Sequence, residues 1–130
     1  MRQAEVQFIG ILHSDILQRK DAPKLHTESE RCGVLEIYSP YEEGLVGITV
    51  GQTIMVLFWL HQAHREILQV YPRGDTTKGW RGVFSTRSPM RPNPIAVSEL
   101  KVLGVDGNRL EVSGLDILDG TPIVDIKRKI

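Results

Sequence analysis

The tetrapeptide Val-Asp-Gly-Asn at residues 105–108 constrains the fold more than any other feature of the chain. Asp-Gly tolerates the positive φ angles that a two-residue type I′ turn demands, and such turns close β-hairpins. On one side lies IAVSELKVLGV, Ile95 to Val105; on the other NRLEVSGL carries Leu110 and Val112 in alternation. Two strands near 96–105 and 109–115 are therefore expected to pair antiparallel. Antiparallel pairing needs no crossover helix, and the rest of the chain agrees. QFIGILH (7–13), VLEIY (34–38), EILQVY (66–71), GVFST (82–86) and PIVDIKR (122–128) are short, largely β-branched runs bounded by polar segments. TIMVLFWLH (53–61) is nearly all apolar and reads as a strand buried on both faces, although periodicity alone does not exclude a buried helix.

Seven or eight strands with almost no helical periodicity predict an all-β protein, a small closed or nearly closed barrel. Closure removes the open edges that would otherwise invite aggregation. At 130 residues, without a repeat, a low-complexity tract or a linker, residues 1–130 are expected to form one domain. Residues 15–32, DILQRKDAPKLHTESERC, read as a long polar loop, and loops of that length are usually functional or disordered.

Composition narrows the function classes. Sixteen basic and sixteen acidic residues cancel, so an anion-binding role must come from local clustering. Cys32 is the only cysteine, which excludes an internal disulfide and a Cys-rich zinc site and suits a reducing cytoplasm. The apolar run at the N-terminus is too short for a signal peptide, and 54–60 is far below membrane-spanning length. No Gly-x-Gly-x-x-Gly, P-loop, nucleophile elbow or His-Glu-x-x-His motif is present, so the usual nucleotide, serine-hydrolase and zinc-protease readings fail.

Three segments can carry chemistry. RSPMRPNP (87–94) holds two arginines and three prolines, and Ser88, Arg91 and Asn93 each precede a proline. Proline fixes its own φ and pushes its predecessor into extended geometry, so this is a stiff ribbon with little entropy left to lose on binding. Arg87 and Arg91 suit a carboxylate or phosphate, and Asn93 a base edge. A proline-stiffened crossover whose arginines cap carbonyls explains the same residues, and spacing does not separate the two. In the second segment, 114–129, Asp119-Gly120 forms a turn and Thr121-Pro122 starts the last strand. Asp125 and Lys127 share a strand face, a spacing that reads as an exposed ion pair ahead of a polar couple at a barrel mouth. The third segment, FWLHQAH (58–64), ends an apolar strand in His61 and Gln62, without the further ligands a metal would need. Trp59 and Trp80 are candidates to stack on a base or an adenine ring, though core packing is the commoner use of tryptophan.

Taken together these segments resemble one family. GVFSTRSPMRPNPIAVS is similar to the run G-V-F-A-T-R-S-P-F-R-P-N-P-I-G-L-S of the TsaA-like (TrmO) family, and LDGTPIVDIK to its L-D-G-T-P-V-x-D-I-K-P-Y. FIGILHS and FWLHQ resemble the family's first strand and its strand ending in F-H-Q, so the likeness spans nearly the whole chain in order. It implies a β-barrel that binds S-adenosylmethionine near a homodimer interface. It also implies N6-methylation of threonylcarbamoyladenosine beside the anticodon of tRNA. By position, Arg87, Arg91, Asn93, Pro94 and Ile95 would line the cofactor or substrate pocket, with Asp119, Gly120, Thr121 and Pro122 as its wall. Asp125 and Lys127 would be its catalytic floor, and His61 and Gln62 further cofactor contacts. Met90 stands where the family has Phe, Ala96 where it has Gly, and Arg128-Lys129 where it has Pro-Tyr. The early P-R-Q element appears only as Pro23-Lys24-Leu25, and the additional C-terminal domain of full-length bacterial members is expected to be missing. Non-catalytic sensing of S-adenosylmethionine and plain RNA binding remain competing functions, the second disfavoured by zero net charge.

Overall fold

The structure is a computed structural model, and it describes residues 2–17 and 31–130. The Pro23-Lys24-Leu25 element and most of the predicted long loop lie outside those residues. Among the described residues eight strands follow in order: β1 (Gly10–His13), β2 (Cys32–Ile37), β3 (Thr53–Trp59), β4 (Gln69–Val70), β5 (Arg81–Gly82), β6 (Ile95–Asp106), β7 (Arg109–Ser113) and β8 (Pro122–Arg128). Six of them close a barrel in the order β1-β2-β7-β6-β3-β8, while β4 and β5 form a separate two-stranded ribbon. The predicted all-β closed barrel is the architecture observed. The chain divides into two compact units, residues 59–96 and the remainder.

In the barrel unit, alternation sets the core. Ile54, Val56 and Phe58 of β3 are fully buried, as are Leu100 and Val102 of β6, Leu110 and Val112 of β7, and Ile123 of β8. The intervening residues of β3 are only half-buried, so β3 is not sealed equally on both faces as its composition suggests. A closed barrel has one interior, and apolar residues on its outer face receive partial cover only.

Two local devices close so small a barrel. A Cβ built at Gly10 would run into the carbonyl oxygen of Glu36, so only glycine lets β1 cross β2 this closely. The β6–β7 hairpin forms where the Asp-Gly signal places it, one residue later in register. Asp106 pairs with Arg109, leaving Gly107 (φ 59°) and Asn108 as the turn. The Asn108 amide donates to the Ile37 carbonyl at 2.8 Å and ties this turn to β2.

The largest departures from the expected strands lie in residues 59–96. The run 66–71 contributes a strand only at Gln69–Val70, because β5 offers just Arg81 and Gly82 to pair with. The run 82–86 turns into a 3-10 helix at Val83–Ser85. Hydroxyls drive that turn: Ser85 donates to the Gly82 carbonyl at 2.8 Å and Thr86 to the Val83 carbonyl at 2.9 Å. Serine and threonine compete in this way with the sheet ladder for backbone partners.

Candidate functional site

The predicted site residues fall into two groups, one in each unit. In residues 59–96 the proline-rich ribbon is held by side chains instead of a strand ladder. Three prolines remove three backbone donors, so nearby carbonyls need other partners. Arg91 supplies them. Its Nη1 donates to the carbonyls of Ser88 (2.9 Å) and Thr86 (3.3 Å), and its Nη2 to that of Val83 (3.2 Å). Its guanidinium carbon lies 6.0 Å from the Phe84 ring centroid. Arg91 therefore works as a clasp on 83–88, the carbonyl-capping role that spacing left open. Around it, the Ser88 N–H donates to the Thr86 hydroxyl and the Met90 N–H to the Ser88 hydroxyl, each at 3.1 Å.

A second clasp was missed in the sequence. Arg65 donates from Nε to the Pro92 carbonyl at 2.6 Å and from Nη2 to Asn93 Oδ1 at 3.2 Å, and it lies over the Trp59 ring at 5.6 Å. No spacing motif marks Arg65. The available signal was the orphaned carbonyls that clustered prolines leave behind, which recruit any guanidinium within reach. Arg65 fixes the orientation of the Asn93 amide by donating to its oxygen. Pro94 is buried, and its carbonyl accepts the Leu60 N–H at 2.8 Å. Arg87 and Ile95 are exposed, as are His61 and Gln62.

In the barrel unit, residues 119–122 are knitted to the segment after β1. Asp119 Oδ1 accepts the Ser14 N–H at 2.9 Å, and the Asp119 N–H donates to the Ile16 carbonyl at 2.8 Å. Gly120, at φ 81°, donates to the Leu12 carbonyl, and the buried Thr121 hydroxyl donates to the Leu118 carbonyl at 2.7 Å. Pro122 pairs with Ile11 where β8 meets β1. This run shapes the turn that launches β8.

Asp125 owes its position to a β-bulge. Phe58 pairs with Ile123 and Leu57 with Asp125, so Val124 is the extra residue. Without it the period-two alternation from buried Ile123 would aim Asp125 into the apolar interior. The bulge turns Asp125 outward and gives the inward position to Ile126, opposite Val56. The carboxylate accepts the Ile126 N–H on Oδ1 at 2.9 Å and meets Lys127 Nζ on Oδ2 at 3.1 Å. Both side chains are about half exposed or more, so the ion pair read from the spacing is present and solvated.

Charge separates the two units. Residues 59–96 hold six Lys/Arg against two acidic residues, Glu66 and Asp75, within a chain of formal net charge zero. Among the described residues no group of three or more His, Cys, Asp and Glu could hold a metal ion, and no helix is long and apolar enough to cross a membrane.

Residues 11–130 match the model of the tRNA-methyltransferase O N-terminal domain. The chain belongs to that family. The resemblance carried by the two long motifs is thereby borne out. An S-adenosyl-L-methionine-binding protein of Archaeoglobus fulgidus is 42% identical over 120 residues, which cover 92% of this chain and 85% of that relative. A probable S-adenosyl-L-methionine-binding protein of Methanothermobacter thermautotrophicus is 40% identical over 125 residues, 96% of this chain and 89% of its own. Among solved structures, TrmO from Pseudomonas aeruginosa superposes with a TM-score of 0.80 at 31% identity. That match takes in 99% of this chain but 57% of the TrmO chain, so the family domain here corresponds to little more than half of that protein.

Proposed function

We propose that this chain binds S-adenosylmethionine and transfers its methyl group, with N6 of threonylcarbamoyladenosine beside the anticodon of tRNA as acceptor. The observation that carries the reading is the match to the tRNA-methyltransferase O domain over residues 11–130. Relatives named for S-adenosyl-L-methionine binding, alike over nearly their whole length, support the cofactor. The proposal treats residues 1–130 as one functional domain that acts as a homodimer.

The chain's own residues suit that ligand. The oriented NH2 of Asn93 and the exposed Arg87 are donors appropriate to a carboxylate or to ring nitrogens. Ile95 offers exposed apolar surface, buried Pro94 anchors the ribbon through its carbonyl on the Leu60 N–H, and His61 and Gln62 add polar contacts. Arg91 acts through the ribbon it clasps. In the barrel unit, Asp119, Gly120, Thr121 and Pro122 form a surface whose shape is fixed by hydrogen bonds to 12–16.

When bound, S-adenosylmethionine supplies an electrophilic sulfonium methyl, so the protein's task is chiefly alignment. Asp125 takes or orients the proton that the acceptor nitrogen must lose, and its half-exposed carboxylate is open to do so. Lys127 offsets the charge that develops beside it. Transfer of labelled methyl to bulk tRNA tests the roles. Asp125→Asn is expected to slow transfer about a hundredfold or more while binding of S-adenosylmethionine persists. Full transfer by that variant would remove Asp125 as the base.

One observation favours a second reading. The relatives of matching length are named for binding, and the TrmO chain has further residues that this match does not reach. A module that binds S-adenosylmethionine without transferring it fits those facts; binding with no transfer to tRNA or cell extract would select it.

A further inference from the structure

The two tryptophans part company in the structure. Trp59 lies beneath Arg65 within the ribbon's clasp, whereas Trp80 is 62% exposed. Tryptophan is enriched at interfaces, where an indole offers a broad apolar face and a polar edge. Trp80 is also held in place. Its ring stacks on Tyr71 with centroids 4.2 Å apart and planes 30° from parallel.

The loop that carries it is built, not slack. Tyr71 and Trp80 flank the ends of the β4–β5 ribbon, where Val70 pairs with Arg81. Two 3-10 turns, Pro72–Gly74 and Thr76–Lys78, fill the loop. Asp75 caps the second, accepting the Thr77 N–H at 2.9 Å and the Thr77 hydroxyl at 2.6 Å. Gly79, at φ 73°, then turns the chain into Trp80. One face of the indole is thus occupied by Tyr71, and the ring is fixed before any ligand arrives.

Its surroundings decide the class of ligand. Lys78 and Arg81, both exposed, bracket Trp80 in the chain, in a unit with six basic residues and two acidic ones. An aromatic platform for an apolar protein would not need that imbalance. A preset ring bracketed by cations fits an unpaired base on its phosphate backbone.

We propose that Tyr71 and Trp80 form a stacking platform for an unpaired RNA base, with Lys78 and Arg81 on the adjoining phosphates. The inference rests on the reading that the substrate is RNA, and it names residues other than those assigned to methyl donor and catalysis. A duplex hides its base faces, so the platform selects single strands and loops.

The test uses the whole chain carrying Trp59→Phe, which leaves Trp80 as its sole fluorescent tryptophan. It is titrated with single-stranded oligoadenylate and with the same strand in a duplex. The single strand is expected to quench Trp80 and the duplex to leave it nearly unchanged. Trp80→Ala should weaken single-strand binding roughly five- to a hundredfold with S-adenosylmethionine affinity and melting temperature retained. Arg81→Ala should lower the slope of log affinity on log salt by about 0.7, the loss of one phosphate contact. Single-strand binding that leaves Trp80 unquenched, or that Trp80→Ala does not weaken, overturns the platform and leaves the RNA substrate standing. No RNA binding by the unaltered chain, with S-adenosylmethionine bound normally, overturns both. Loss of S-adenosylmethionine binding in Trp80→Ala overturns the platform by placing Trp80 in the cofactor site.

Discussion

The barrel unit and residues 59–96 satisfy the same polypeptide backbone by opposite means. In the barrel, strand ladders consume the N–H and C=O groups, and side chains are left free to alternate between core and surface. In 59–96 the paired strands are two residues long. Side chains do the ladder's work instead: Arg91 on 83–88, Arg65 on 92–93, Asp75 on Thr77, and the hydroxyls of Ser85, Thr86 and Ser88 on their neighbours. Residues that look like ligand-binding groups in a sequence are then partly spent on holding the loop that presents them. Arg91 is the clearest example. The barrel also holds the acidic excess that balances the basic 59–96 unit.

If that contrast is right, substitutions in the two units will fail differently. Phe58→Ala should do most harm. Its fully buried ring leaves a cavity costing about 3–5 kcal/mol, and the melting temperature should fall by about 10 °C or more in calorimetry. A mild effect would mean that the interior can collapse around the gap. Arg91→Ala removes three hydrogen bonds from a cation, a loss of about 2 kcal/mol felt within the ribbon. Hydrogen exchange should then accelerate across 83–92 while β2 and β7 keep their protection. Equal loss of protection in the barrel strands would break the distinction. Lys127→Ala should matter least to folding. Its partner is half exposed, and such pairs contribute under about 1 kcal/mol, so the melting temperature should hardly move.

How legible each region was follows from the same contrast. Strands β6, β7 and β8 and the hairpin between the first two could be read because alternation and Asp-Gly turn chemistry act over a few residues. The exposed Asp125–Lys127 pair could also be read from its spacing, but the cause of its outward aim could not. That aim depends on the bulge at Val124, a matter of register between two strands distant in the chain. The runs 66–71 and 82–86 have strand-like composition, yet strand length is set by what lies opposite, and only Arg81 and Gly82 do. In the candidate site, the motifs marked Arg87, Arg91 and Asn93 but not Arg65. The identity of a clasp depends on which carbonyls lack partners, and that is decided by tertiary structure. Zero net charge likewise concealed a basic unit, because a sum over the chain discards position.

The central claim is that the clasped ribbon of 59–96 presents the methyl-donor site. Calorimetric titration of the unaltered chain and of Arg91→Ala with S-adenosylmethionine tests it most directly, with each protein's barrel verified folded by the protection of β2 and β7. The expected result is saturable binding by the unaltered chain, weakened about tenfold or more when the clasp is removed. Undiminished affinity in Arg91→Ala, or no binding by the unaltered chain, would contradict it.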